Sequence, residues 1–265
     1  MIPSDSAMNP AQHIVETNNQ AVTYLLHGYH DESVAKLGDA LWNLQFYQDL
    51  ELAARAAAHT ETTEQLSLNL RSNASQPQQQ LFLPTRRPGE DDQTNKQTKS
   101  VLFSVSLTTS EYQQQLEQQK MSAFNPSSTF SIFSRALTIF EVSEVEPEIF
   151  KNYKRLMAML LYNLGLALHV NAVNNGKTSE LEGALTLYEM SFSVVEDSWS
   201  QFDVDDLMLL LLALFNNMGC IHSILFNSKK TKTCIEWLKM LSANPIFLKL
   251  MQKTEHAPFF LNLLV

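Results

Sequence analysis

The sequence predicts a soluble, mainly α-helical protein, an α-solenoid of stacked helical hairpins carrying a polar, disordered insert and with room for a small β-hairpin. Three observations lead there. Apolar residues recur at helical spacing in six separate runs with few internal glycines or prolines. A polar stretch of low complexity divides those runs. A short self-similar unit recurs within them. With 265 residues, 45% of them apolar, the chain has enough material for one sizeable core or two small ones.

Residues 11–58 read as a helical hairpin. Val15, Val22, Leu25 and Leu26 share one helical face, and Val34, Leu37, Leu41 and Leu44 another. The turn falls at His27 to Asp31, where Gly28 suits the left-handed residue that ends a helix and Asp31 an N-cap. Residues 59–127 change character: QPQQQ at 76–80, RRPGEDDQ at 86–93 and QQQLEQQK at 113–120 cannot bury enough apolar surface to offset the cost of ordering. The 59–98 portion is expected to be mobile and first to be cut by protease. Within the insert SVLFSVSL, 100–107, alternates like a strand, and its only plausible mate is TFSIFSRALTIF at 129–140; a stray helix is the competing reading.

From residue 146 onward the helical period returns. Leu156, Leu160, Leu164 and Leu168 mark one face, Leu181, Leu185 and Tyr188 a second, Leu211, Phe215 and Met218 a third, and Ile235, Leu238 and Leu241 a fourth. Ser179 with Glu182, Ser200 with Asp203 and Thr233 with Glu236 have capping-box spacing. IFLKLMQKTEHAPFFLNLLV at the end reads as a lid over the helical stack. The resulting map is an N-terminal hairpin at 1–58, a polar insert at 59–127 and a helical region at 128–265.

YNLGLALH at 162–169 and NNMGCIHS at 216–223 each place Asn, an apolar residue and Gly early in a helix, and NNQAVTYLL at 18–26 repeats this with Ala21 for the Gly. Each is followed by a second helix with a small residue, a large one four later and another three beyond: Ser33, Leu37, Ala40; Ala184, Tyr188, Ser191; Cys234, Leu238, Leu241. This pattern resembles the tetratricopeptide repeat. The resemblance covers roughly residues 14–44 and 158–244, with extra residues around VNNGKTSE and FNSKKT. It implies close helix crossings at Ala21 with Ser33, Gly165 with Ala184 and Gly219 with Cys234. Tyr24 and Leu168 resemble the family's large residue after the early Gly, and Pro245 its closing proline. It also implies a concave groove lined by Met159, Tyr162, Leu166 and His169 in one unit and Ala213, Asn216, Cys220 and Ser223 in the next. The partner-binding candidates are Tyr162, Leu166, His169, Asn216 and Ser223. Gly165→Leu should then cost stability, while Tyr162→Ala and Asn216→Ala should weaken partner capture and leave the melting temperature nearly unchanged. The basic clamp with which chaperone-tail binders of this family hold carboxylates has no counterpart in Lys or Arg, so that ligand is not expected.

The net charge of −9 and the absence of a clustered basic window argue against nucleic acid. MIPSDSAMNPAQ lacks a basic start and an apolar core, so no secretory signal is expected and the protein reads as intracellular, cytoplasmic or nuclear. Cys220 and Cys234, inside apolar helical patterns, read as small buried hydrophobes, with a redox or bridging role as the alternative. Leu207 to Phe226 is long enough to tempt a membrane assignment, but Asn216, Asn217 and His222 at its centre favour a helix packed on both sides.

No phosphate-cradling glycine motif, no HExxH, CxxC or GxSxG occurs, and no metal or cofactor is expected. The acidic string FDVDD at 202–206 reads as a helix N-terminus rather than a proton donor or cation site. His169 and His222 read as structural histidines before catalytic ones. Two alternatives stand beside the interaction module. One is a structural subunit whose groove is filled by its own chain, at residues 100–107 or 246–265. The other is an enzyme of unrecognised type using His169, His222, Asp203 and Asp205.

Overall fold

A computed structural model describes residues 10–73, 101–106, 130, 132–140, 153–199, 202 and 204–253. These form helices α1 (Pro10–Leu26) and α2 (His30–Asn73), strands β1 (Val101–Ser106) and β2 (Arg135–Phe140), and helices α3 (Tyr153–Asn175), α4 (Thr178–Glu196), α5 (Val204–Ile224), α6 (Ser228–Ser242) and α7 (Pro245–Lys253). The protein is mainly helical. The chain divides into two compact units, one of residues 1–45 with 100–265 and one of 46–99. The second unit contains the distal part of α2, and the first contains every other element.

Three helical hairpins, α1–α2, α3–α4 and α5–α6, turn in the same way. In each, one residue of the turn adopts a left-handed backbone: Gly28 at φ 79°, Gly176 at φ 65° and Phe226 at φ 55°. The next amide then reaches back five residues to a carbonyl of the ending helix, Tyr29 to Tyr24 at 3.0 Å, Lys177 to Ala172 at 2.9 Å and Asn227 to His222 at 2.8 Å. This bond satisfies a carbonyl that the helix end would otherwise leave bare. Glycine adopts that conformation freely, whereas phenylalanine does so only under steric strain. Because Phe226 is 87% exposed, its ring offers little packing in return. Phe226→Gly is therefore expected to stabilise the fold by about 0.5 to 1 kcal/mol, a rise in thermal midpoint; a lower midpoint would mean the ring is anchored.

These tight turns also overturn the anticipated helix starts. α2 begins at His30, so Asp31 stands inside its first turn. α4 is capped by Lys177 without a side-chain bond, so Ser179 lies within the helix. In α6 the Asn227 side chain accepts from the Lys230 amide at 3.3 Å, and Thr233 lies mid-helix with its hydroxyl on the Lys229 carbonyl. Ser200 and Asp203 fall outside the described residues. α2 runs past residue 58 to Asn73, and residues 74–100 of the insert fall outside the described residues.

The hairpins pack through small residues and aromatic rings. The Ser33 hydroxyl donates to the Ala21 carbonyl at 2.9 Å, and that of Ser191 to the Ala158 carbonyl at 2.7 Å, contacts only closely crossing helices allow. At Gly165 a Cβ would stand 3.3 Å from the Ala184 carbonyl and 2.9 Å from the Tyr188 ring. On α4, Leu181, Ala184, Tyr188, Ser191 and Val195 are buried at alternating three- and four-residue spacing, which turns one face inward. Phe192, Phe215 and Trp237 join α4, α5 and α6 through ring pairs with centroids 5.1, 4.8 and 6.0 Å apart. Phe247 of α7 is buried as α7 packs on α5 and α6; residues 254–265 of the C-terminal stretch lie outside the described part.

α3 and α5 are apolar nearly all round because each is enclosed on several sides, and both are long and apolar enough to cross a membrane, with mean hydropathy 1.6 and 1.7. Burial inside the fold accounts for that composition, with 78% and 83% of the two windows enclosed. Arg155 of α3 pairs with Asp206 in the first turn of α5, tying the starts of these helices together.

Candidate functional site

Residues 130 and 132–140 lie along α1, α3 and α5. Phe133, Ala136 and Leu137 in it are almost wholly buried, and Phe130, Ile132, Ser134 and Thr138 nearly so. β2, its C-terminal part, pairs antiparallel with β1, Leu102 opposite Ile139 and Ser104 opposite Leu137. An extended chain presents main-chain groups to its two edges at alternate residues. The second edge of this strand is met by asparagine side chains.

Each helical unit supplies one asparagine that closes a two-bond amide pair with the strand backbone. Asn217 of α5 accepts from the Phe133 amide at 2.8 Å and donates to its carbonyl at 3.2 Å. Asn163 of α3 holds Leu137 in the same way, at 2.8 Å for both bonds. Asn19 of α1 holds Ile139 at 3.0 and 2.7 Å. The three are equivalent in the repeat, each standing two residues before the small residue, Ala21, Gly165 or Gly219. The strand crosses the units in reverse order, Phe133 meeting the third, Leu137 the second and Ile139 the first. Between Phe133 and Leu137, the Tyr162 hydroxyl donates to the Arg135 carbonyl at 3.0 Å.

A layer of polar groups supports these pairs. The Asn18 amide donates to Asn19 and to the Leu137 carbonyl, each at 3.1 Å, and its oxygen accepts from Asn163 at 2.9 Å. In the third unit Asn216 donates to Asn217 at 3.1 Å, the same relation as Asn18 to Asn19. Asn217 also donates to the Tyr188 hydroxyl at 3.2 Å, so both its protons and both its lone-pair directions are used. The Tyr188 hydroxyl in turn is hydrogen-bonded to Nδ1 of His169 at 3.4 Å.

Burial pushes the Tyr162 and Tyr188 hydroxyls well above the ordinary phenol range, and it lowers His169 to about 3, so all three are neutral. Burial likewise raises the Cys234 thiol to about 11, and both Cys220 and Cys234 are buried. The His169 ring binds no proton in the fold until far below its ordinary 6.5. Its contribution to stability is thus complete above pH 6.5 and declines as the unfolded chain protonates, by about 1.4 kcal/mol per pH unit well below that point. His169→Gln should lose less stability between pH 6.5 and 4.5 than the unsubstituted chain in denaturant titrations. Parallel curves would show that His169 is not the buried neutral group described.

The expected groove residues divide. Tyr162, Leu166, His169 and Asn216 are fully buried, and three of them join the network, Tyr162 directly on the strand and the other two through Tyr188 and Asn217. Ser223 is half-buried near the end of α5, where its carbonyl accepts from the Phe226 amide of the turn at 3.2 Å. Tyr162→Ala would therefore leave a large void and cost stability, about 3 to 5 kcal/mol, contrary to the expectation of an unchanged melting temperature. At Gly219 the nearest neighbour is the Phe130 ring rather than Cys234. The segments 100–107 and 246–265 were the expected self-occupants of a groove; among the described residues it is 130 and 132–140 that carry these bonds to the asparagines.

The asparagines that do the holding, Asn19, Asn163 and Asn217, went unread as functional, although their shared offset from the small residue was visible. Among the described residues, no group of three or more His, Cys, Asp and Glu could hold a metal ion. His169 bonds Tyr188, and Asp206 is taken by Arg155. Asp203 lies outside the described residues. The chain matches no family model, no curated protein and no solved structure.

Proposed function

We propose that this chain is a protein–protein interaction scaffold. It is a short α-solenoid of tetratricopeptide-like hairpins whose inner surface holds an extended polypeptide by its backbone. The observation that carries this reading is the repeat-equivalent trio Asn19, Asn163 and Asn217, each closing an amide pair on one strand. A surface that evolved only to fill its own core has apolar side chains available for that task, and hydrogen-bonding a buried backbone is required only where a bare strand is accommodated. The repeated left-handed turns and the close contacts of Ala21 with Ser33 and Gly165 with Ala184 support the solenoid arrangement.

In this reading the chain's own residues 130–140 occupy the surface, with Tyr162, Leu166, His169 and Asn216 forming its floor. Gentle purification of the full chain from its own cells at its own level tests the proposal. A scaffold should elute from a sizing column in a stoichiometric complex with another protein. Elution of the whole population as free chain would contradict the reading.

A further inference from the structure

The outer sides of two helices carry charge in a pattern that the fold itself does not use. On α2, Glu32, Lys36 and Asp39 stand in the order acid, base, acid at spacings of four and three residues. On α6, Lys232, Glu236 and Lys239 stand in the order base, acid, base at the same spacings. Residues three and four apart share one side of a helix, so each trio forms a single charged row roughly two turns long. Lys36 is half-buried and the other five side chains are exposed. Among the described residues none of the six enters an ion pair, although each row holds opposite charges one turn apart.

A comparison within the chain shows that the match is particular. On α4, Glu182 and Glu189 repeat the spacing of Glu32 and Asp39, but Thr186 stands where α2 has Lys36, and Glu189 is taken by Lys230 at 3.2 Å. Glu236 would find no base there. Apolar surface lies beside both rows: Trp42, three residues after Asp39, is 75% exposed, and Met240, next to Lys239, is 54% exposed. One turn before Trp42, a Cβ on Gly38 would meet nothing within 4 Å, which leaves the backbone of α2 open to close approach by another helix.

We propose that this chain self-associates, with α6 of one copy lying parallel to α2 of a second so that Lys232 meets Glu32, Glu236 meets Lys36 and Lys239 meets Asp39. The occupant is a second copy because the chain itself supplies the complement of each row, in sign and in spacing, at all three positions. Exposed ion pairs are individually weak, so the charges fix the register and reject like-charged faces while Trp42 and Met240 supply apolar contact. The joined faces differ, so a copy engaged through α6 keeps its own α2 row for a further copy, or for the same copy in a two-fold dimer. The association does not draw on the asparagine-held strand.

Sedimentation velocity of the purified full chain over a range of concentrations tests the proposal. The unsubstituted chain should associate as concentration rises, and added salt should weaken the association by screening exposed charges. Lys232→Glu with Lys239→Glu should weaken it at least about ten-fold, and so should Glu32→Lys with Asp39→Lys, because each sets like charges against one another. An equimolar mixture of the two reversed chains should associate again, since the acidic α6 of one then faces the basic α2 of the other. The reversed side chains are exposed, so each variant should keep its thermal midpoint. Should a reversed chain fail to fold, Lys232→Gln with Lys239→Gln, which removes the charges without inverting them, should weaken association in the same direction. A chain that sediments as a monomer at every concentration would overturn the proposal, as would association that neither reversal weakens or that the mixture does not restore.

Discussion

Asn217→Ala is expected to lower the free energy of unfolding by about 2 to 6 kcal/mol, because two buried main-chain groups each lose a bond at about 1 to 3 kcal/mol. Removing the side chain takes the Asn217 acceptor from the Phe133 amide, leaves the Phe133 carbonyl with the longer 3.4 Å bond from the Tyr162 hydroxyl, and takes a donor from the Tyr188 hydroxyl. Asn163→Ala should cost less, since the Leu137 carbonyl keeps the Asn18 donor at 3.1 Å, a shorter bond than the 3.4 Å one left to the Phe133 carbonyl. Asn19→Ala should cost least, about 1 kcal/mol, because its pair with Ile139 is only partly buried and water can replace it. Asn217→Asp is a near-isosteric companion whose carboxylate cannot donate to the Phe133 carbonyl, so it should be as damaging as alanine. Denaturant titration of the series measures the ranking. Three losses within about 0.5 kcal/mol of zero would mean that the strand is not held as described.

Gly165→Leu is expected to cost about 3 kcal/mol or more by forcing apart a tight helix crossing. Even a single added carbon would stand 2.9 Å from two atoms of the Tyr188 ring and 3.3 Å from the Ala184 carbonyl. The ring cannot swing away cheaply, because its hydroxyl is engaged by Asn217 and His169 and the residue is fully buried. Two helical glycines serve as controls. A Cβ on Gly183 would meet only Leu168 at an ordinary 3.7 Å, and one on Gly38 would meet nothing within 4 Å. Gly183→Ala and Gly38→Ala should therefore stabilise by about 0.5 to 1 kcal/mol through helix propensity. Thermal unfolding of the three variants reads the contrast, and an unchanged midpoint for Gly165→Leu would contradict the packing.

The helical hairpins were legible because burial on one side of a helix writes a period into the sequence. Leu181, Ala184 and Tyr188 show it, and the early small residues Ala21 and Gly165 mark where helices approach. Helix starts were misread for a local reason. Ser179 and Thr233 have the spacing of caps, but the left-handed turns at Gly176 and Phe226 already redirect the chain several residues earlier. Residues 129–140 were legible as the mate of the alternating stretch 100–107, whereas their place against α1, α3 and α5 was not.

That place depends on contacts such as Leu137 with Asn163 and Ile139 with Asn19, which lie 26 and 120 residues apart in sequence. Local patterning carries no record of such pairings. A helical pattern alone also cannot tell which of two adjacent asparagines faces a strand, so it favours Asn216 where the fold uses Asn217.

The central claim, that three equivalent asparagines hold residues 130–140 through its backbone, is tested most directly by amide hydrogen exchange on the full chain. Read residue by residue, the amides of Phe133, Leu137 and Ile139 should be protected, Phe133 and Leu137 to a degree comparable with the cores of α3 and α5. Asn217→Ala should release Phe133 ahead of the other two. Exchange of all three amides at the rate of an unstructured peptide, while α3 and α5 remain protected, would contradict the account.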